Sequence, residues 1–353
     1  MSSKEEIIQS FNPDGVGQNN GNLFGLPFNY EHSRLTILPV PWDVTVSYSD
    51  GTADGPSAIL DASPQLDFFD SDLQDAWKIG FHLTPISTEI RDLSDQLRLK
   101  STSYIDFLEN GGKVETNDEF STVLEEINAS CEMLKNRVKE KCLSMMKDGK
   151  MVALLGGDHS TPLGLIEALT EKHEHFGILQ IDAHMDLRDA YEGFSYSHAS
   201  VMFNALKYPQ VQRLVQVGIR DFCKQEADLA AASNGRVKVF YDSDMKTAQY
   251  EGKSWRAVVD DIVSTLPEKV YISFDIDGLD PKLCPGTGTP VPGGLEFEQA
   301  VYLFRSLVRE GKTIIGFDLN EVAPGDTEWN ANVGARMLWK LCVFMAKSNH
   351  LKP

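Results

Sequence analysis

Phe176-Gly177-Ile178-Leu179-Gln180-Ile181-Asp182-Ala183-His184-Met185-Asp186 is the stretch on which the reading of this chain turns. An apolar run of strand length ends in three metal-capable side chains, Asp182, His184 and Asp186, at every second position. A strand turns alternate side chains to one face, so the spacing predicts that all three converge on one point. A single D-x-H-x-D is a weak signal, because a solvated loop after a strand has the same composition. It gains weight because other apolar runs of this chain end in the same way.

Apolar runs at 35–40, 151–155, 176–180, 212–217, 237–241, 269–274 and 313–317 read as strands. Amphipathic stretches separate most of them. The longest, from Asn117 to Asp148, repeats Phe120, Val123, Leu124, Ile127, Cys131, Leu134, Val138, Cys142 and Met145 at steps of three and four, which predicts a helix with one buried stripe. Gly51 to Pro56 reads as a loop that opens a helix near Pro56. Strands alternating with helices predict an α/β fold with one mainly parallel sheet and helices on both faces. The alternation runs without a low-complexity linker, so one domain is expected over 34–353. Residues 1–33, rich in Asn and Gly, are expected to be an irregular arm over a surface or a neighbouring subunit.

Composition narrows the classes. A chain of 353 residues with 42% hydrophobic and 24% charged residues is ordinary for a globular protein. The net charge of −19 argues against a nucleic-acid surface and suits a cationic ligand. No apolar run has membrane-spanning length, and Met1 to Glu6 lacks the basic and apolar regions of a signal peptide, so a cytoplasmic protein is expected. The 5 cysteines have no C-x-x-C spacing, which disfavours a disulfide framework or zinc–thiolate site.

The chemistry gathers at four strand ends: Gly157-Asp158-His159, Asp182 to Asp186, Ser273 to Pro281, and Asp318 to Glu321. Parallel strands bring their carboxyl ends to one edge of the sheet, where ligands bind. The Gly156-Gly157 turn resembles a phosphate cradle, but the P-loop lysine is absent. Clustered aspartates repel by about 4 kcal/mol per pair at a few Å and an effective dielectric near 20. Metal ions resolve this, because the four negative charges of Asp182, Asp186, Asp275 and Asp277 balance two divalent cations. Oxygen and imidazole donors without thiolate suit Mn²⁺ and also accept Ni²⁺, Zn²⁺ or Fe²⁺. Two such ions lower the pKa of a shared water toward neutrality, which is hydrolase chemistry.

Gly156-Gly157-Asp158-His159-Ser160, Asp182-Ala183-His184-Met185-Asp186 and Ser273 to Pro281, as S-F-D-I-D-G-L-D-P, together resemble the three signatures of the ureohydrolases, the arginase and agmatinase family. The resemblance runs from about Leu35 to Leu341. It implies an arginase-like three-layer α/β/α fold with a mainly parallel eight-stranded sheet, a binuclear manganese centre, release of urea from a guanidino substrate, and a homo-oligomer, trimer or hexamer. By the same resemblance, His159, Asp182, Asp186 and Asp275 would hold one ion, and Asp182, His184, Asp275 and Asp277 the other, with Asp182 and Asp275 bridging. Asp186 thereby joins the catalytic set. The family's proton-handling histidine matches His198 and its substrate-pairing glutamate Glu321. Both answer a need: guanidinium is resonance-stabilised, its departing nitrogen must be protonated, and the cation must be held in place.

Within the family, Gly286 to Gly294 resembles agmatinases, and Leu187 to Tyr196 lacks the asparagine-rich arginase loop that reads an amino-acid head. Trp42, Thr45 and Trp329 resemble the branch that hydrolyses free guanidine, where two indoles would shorten the pocket and stack on a planar cation. Guanidine is therefore the first expected substrate and agmatine the second. Outside the class stand a catalytically silent metal-binding homologue and a single-metal deacetylase. The silent homologue is expected to lack a ligand, and the deacetylase has no need of Asp277 or Asp186. Asp158 and Asp280 are expected to orient loops or ligands, and Arg188 to meet either a substrate carboxylate or a neighbouring acid. His32, His82, His173, His175 and His350 have no motif context and read as surface or core histidines.

Overall fold

The computed structural model describes residues 3–353. Eight strands, β1 (Leu35–Val40), β2 (Phe81–Leu83), β3 (Met151–Gly156), β4 (Phe176–Ile181), β5 (Val211–Ile219), β6 (Val237–Tyr241), β7 (Lys269–Asp275) and β8 (Thr313–Asn320), form one sheet in the order β2-β1-β3-β8-β7-β4-β5-β6. Every pairing is parallel. The expected α/β/α architecture is therefore present, with β2 added to the strands visible in the sequence. At three residues β2 is too short to show a period.

Strands buried on both faces read as continuous apolar runs, and β4 shows why. Phe176 and Ile178 enter the hydrophobic cluster on one face, Leu179 and Ile181 the cluster on the other. The long helix is Asp118–Lys147, capped by Asn117, whose side chain accepts the Phe120 N–H. Such a cap contributes about 1 kcal/mol. Ile127, Cys131, Leu134, Val138, Cys142 and Met145 form its buried stripe, whereas Phe120, Val123 and Leu124 are only partly buried. The other face is covered by the helices Trp255–Ser264, Phe297–Arg309 and Trp329–Ser348. Among the described residues no helix is long and apolar enough to cross a membrane.

The amino-terminal segment differs from the irregular arm expected. Lys4–Ser10 is a helix with a capping box between Ser3 and Glu6. Farther on, Leu23, Phe24, Leu26 and Phe28 are buried in this chain's own core, with the Phe24 ring 5.1 Å from Trp339 and 6.3 Å from Phe81. Four apolar residues scattered among Asn and Gly have no helical or strand period, so their burial was invisible to a pattern search.

Candidate metal centre and active site

The strands whose ends carry the motifs, β3, β8, β7 and β4, occupy the four central places of the sheet. Their carboxyl ends therefore meet at one edge. Gly157 permits the first close approach, since a Cβ there would stand 2.0 Å from the Trp42 carbonyl oxygen. Gly278 permits another, against the Asp182 backbone nitrogen at 2.6 Å.

The D-x-H-x-D segment does not continue as a strand, which corrects the alternation argument. The ladder reaches Asp182, whose N–H donates to Val217 O at 3.1 Å, and the chain then turns. The His184 N–H donates to Asp182 Oδ1 at 2.6 Å, and Asp186 has a left-handed φ of 54°. Glu321 is left-handed too, at 65°. Such backbone costs about 1–3 kcal/mol per residue and persists where surrounding contacts hold it, often at functional sites.

The turn splits the motif between two ligand groups. His159, Asp182 and Asp186 form one, and Asp182, His184 and Asp277 the other, sharing Asp182. His159 Nδ1 lies 3.0 Å from Asp182 Oδ2, 2.9 Å from Asp186 Oδ2 and 3.3 Å from Asp275 Oδ2. His184 Nδ1 lies 3.1 Å from Asp277 Oδ2. Asp275 Oδ1 accepts the Asp277 N–H, and Asp277 Oδ1 accepts the Ala183 N–H, so each carboxylate is oriented by backbone.

The residues present fit divalent ions. Buried His159 Nδ1 and Asp186 Oδ2 have no hydrogen-bond partner although they stand 2.9 Å apart: they converge on shared space rather than on each other. The tautomer of His159 follows from its other nitrogen. Ser273 Oγ donates to Asp318 Oδ1 at 3.0 Å, which leaves a lone pair for the His159 Nε2–H at 2.9 Å. The Nδ1 lone pair is thereby aimed into the cluster, the usual second support of a metal-binding histidine. Gln180 Nε2 holds Asp182 Oδ2 at 2.7 Å, and Gln216 Nε2 holds Gln180 Oε1 at 2.6 Å.

The electrostatics without metal are those of crowded acids. Burial and then Asp182 push Asp186 up to about 7, and burial with Asp277 and Asp182 raises Asp275 well above the carboxylate range. Burial opposes charge on the histidines, but the carboxylates outweigh it, raising His159 well above its ordinary value and His184 to about 12. Protons thus occupy positions that cations would take.

Glu321, buried at the end of β8, accepts the His159 N–H through Oε1 at 2.8 Å and leaves Oε2 unpartnered. A Cβ on Gly288 would lie 2.9 Å from that Oε2, so the glycine keeps the space beside it open. Thr45 is buried and joins two candidates: its Oγ1 donates to Asp158 Oδ2 and accepts the His198 N–H, each at 3.4 Å. Asp158 also accepts from the Ser160 N–H at 2.9 Å. Burial, then the fields of His184 and His159, hold His198 well below its ordinary value.

A cavity of about 370 Å³ opens onto this edge, with His184, Asp186 and His198 among its lining and Tyr48, Arg188 and Tyr191 farther along the wall. Neither expected indole lines it. Trp42 is fully buried within the core, and Trp329 is 50% exposed, with its Nε1 donating to Lys282 O at 3.4 Å. The backbone explains both: Trp42 follows an apolar strand and turns inward, and Trp329 is the exposed first residue of a helix that is otherwise mostly buried. Sequence reasoning missed Tyr48, Tyr191, Gln180, Gln216 and Arg220. The Arg220 guanidinium donates to Asp277 O at 2.6 Å and Val291 O at 2.9 Å, tying the metal turn to the cavity wall. Gln180, the one polar residue of β4, and Gln216 in the apolar second half of β5 were a usable signal.

The sequence profile of the Arginase family matches residues 33–343. The chain belongs to the arginase family. It is 32% identical over 311 residues to the N(1)-aminopropylagmatine ureohydrolase of Thermus thermophilus, covering 88% of this chain and 89% of that one. It is 34% identical over 207 residues to the guanidinobutyrase of Pseudomonas aeruginosa, covering 55% and 61% respectively. The solved agmatine ureohydrolase of Thermoplasma volcanium superposes with a TM-score of 0.70 at 22% identity over 98% of this chain and 99% of the other, a likeness of fold. As an arginase-family protein the chain is a metal-dependent amidinohydrolase with a candidate binuclear centre.

Proposed function

We propose that the chain hydrolyses a small guanidino compound without an α-amino-acid head, giving urea and ammonia or an amine. The observation that carries this reading is the pair of ligand groups sharing Asp182, with the unpartnered Glu321 Oε2 held on the same sheet edge. Two divalent ions bound there, Mn²⁺ first and Ni²⁺ second, would supply Lewis acidity and lower the pKa of a water. His159, Asp182, Asp186 and Asp275 would hold one, and Asp182, His184, Asp275 and Asp277 the other.

The chain's own residues do the rest. Glu321 Oε2 receives guanidinium N–H donors, and Oε1, tied to the His159 N–H, fixes how far that carboxylate stands from the centre. His198, neutral at pH 7, takes a proton from the attacking water and returns it to the departing nitrogen. Thr45 holds the His198 backbone in position through the hydroxyl it shares with Asp158.

Free guanidine stands first and agmatine second. The indoles no longer support that order, but Thr289, Pro290 and Val291 of the agmatinase-like loop line the cavity, and Arg188 and Tyr191 stand in the segment where the asparagine-rich arginase loop is lacking. Guanidine needs no contact beyond the centre, whereas agmatine's ammonium would pass a fixed cation, Arg188. A urea-release assay on the metal-loaded enzyme with guanidine, agmatine, 4-guanidinobutyrate and arginine decides it. Highest kcat/KM on arginine would refute the missing-head argument, and a tenfold lead for agmatine would replace guanidine with agmatine. Two ions per chain with no turnover on any of these compounds would favour the silent homologue.

A further inference from the structure

The helix Thr88–Glu109 turns polar side chains inward where a core-facing stripe calls for apolar ones. Ser94, Arg98 and Ser101 stand at i, i+4 and i+7, so they share one face with Leu97, Tyr104 and Ile105 of the hydrophobic core. Both serines are fully buried and Arg98 is partly so. Their partners lie in residues 43–46, a buried stretch past the end of β1 that has no strand to satisfy its backbone. Ser94 Oγ accepts the Asp43 N–H at 3.2 Å, Ser101 Oγ donates to Val44 O at 2.5 Å, and Arg98 Nη1 donates to Val44 O at 3.4 Å and to Val46 O. Thr45 stands between those two carbonyls. Its hydroxyl meets the His198 N–H at 3.4 Å, the limit of hydrogen-bond reach, so a small displacement of the stretch breaks the contact. The same helix holds the other neighbour of His198. Tyr104 donates its hydroxyl to Glu192 O at 2.9 Å, beside Tyr191, whose ring meets the His198 imidazole edge-on at 6.2 Å.

Resting on the assignment of His198 as the proton carrier, we infer that Arg98 is its positioning residue, acting through residues 43–46 on the Thr45 hydroxyl against which the His198 backbone is set. One guanidinium nitrogen spans the two carbonyls that flank Thr45 and so sets the shape of that turn, whereas the Ser101 hydroxyl reaches only the first of them. Arg98 Nε is buried without a partner, so the carbonyls are what holds this side chain in place. A charged donor on neutral carbonyls makes a stronger bond than a hydroxyl does. Removing it frees the turn, moves Thr45 and lets the imidazole of His198 leave the line of proton transfer.

The test has one arm without turnover and one with it. Hydrogen exchange of the amides of residues 43–46 in the full chain, read by mass spectrometry, should quicken at least tenfold in Arg98→Met and less in Arg98→Lys. Urea release by the metal-loaded chain, from guanidine or from agmatine if that is the faster substrate, should show kcat at least tenfold lower in Arg98→Met, with KM within twofold and both ions bound. Arg98→Lys, which keeps a cationic donor, should stand between. Ser101→Ala should lower kcat about threefold and carries both arms if Arg98→Met does not fold. A merely structural loss multiplies with the loss of His198, and a loss acting through His198 does not. Adding Arg98→Met to His198→Ala should therefore change kcat less than twofold. Unchanged exchange, kcat within twofold of wild type in Arg98→Met and Ser101→Ala, or effects that multiply in the double variant overturn the inference. Failure of the underlying assignment looks different: His198→Ala alone would turn over near the wild-type rate. The exchange arm decides even then whether Arg98 holds the stretch.

Discussion

The inner and outer halves of the cavity are built by different means. The inner half stands on four adjacent strand ends, and Asp182, Asp275 and Asp277 are each oriented by a backbone N–H. The outer half is assembled from Ser47 and Tyr48, Arg188 and Tyr191, and Thr289 to Val291, short groups of residues on three loops. The proposed chemistry would therefore reside where the sheet fixes geometry, and substrate choice where loops allow substitution without disturbing the ladder.

Removing the shared ligand is the strongest way to test that division. Asp182→Ala or Asp275→Ala should abolish urea release and lower the metal content below two ions per chain by elemental analysis. Full occupancy in either variant would mean that neither carboxylate bridges. One step smaller, His198→Ala should slow turnover by roughly 10²–10⁴ with both ions retained, since it removes a proton carrier rather than a ligand. Near-wild-type turnover would transfer that role to another group.

The same division explains what the sequence disclosed. Apolar strand runs, the helix stripe at Ile127 to Met145 and the polar ends of β3, β4, β7 and β8 are local patterns, each legible within one element. The splitting of D-x-H-x-D between two ligand groups depended on a left-handed Asp186, which no side-chain pattern reports. The indoles were misplaced for a related reason. Sequence position alone does not place an indole: Trp42, just after β1, is buried in the core, and Trp329, at a helix start, is half exposed. The burial of Phe24 depended on Phe81 and Trp339, far away in sequence.

Smaller effects should come from the supports of the inner half. Ser273→Ala removes the acceptor for His159 Nε2–H and leaves Asp318 without that donor, so metal affinity should fall about 10–100-fold. Unchanged affinity would mean that the tautomer is fixed by other means. Affinity should also depend on pH with a definite sign. His159 and His184 are raised, and Asp186 and Asp275 are raised, so all four hold protons near neutrality until cations displace them. Binding must then release protons and tighten as pH rises from 6 to 8. Calorimetry in buffers of different ionisation enthalpy measures that release, and pH-independent binding would contradict the crowded-acid picture.

The smallest expected effect is at Trp329. The sequence resemblance would place its indole over the substrate, and truncating a stacking partner on a cation costs about 0.5–2 kcal/mol, or a two- to thirtyfold loss in kcat/KM. In the structure the ring is half exposed, its nitrogen reaches Lys282 O at 3.4 Å, and it does not line the cavity. Trp329→Ala should therefore change kcat/KM for guanidine and for agmatine by less than twofold and shift stability by about 0.5 kcal/mol or less, as surface substitutions do. A tenfold rise in the KM for guanidine, with thermal stability unaltered, would return Trp329 to the substrate. It would also mean that the loop 323–328 preceding that helix rearranges when the cavity fills. The sharp boundary drawn between a fixed inner half and an outer half of separate loops would then have to move outward to include the start of the final helix.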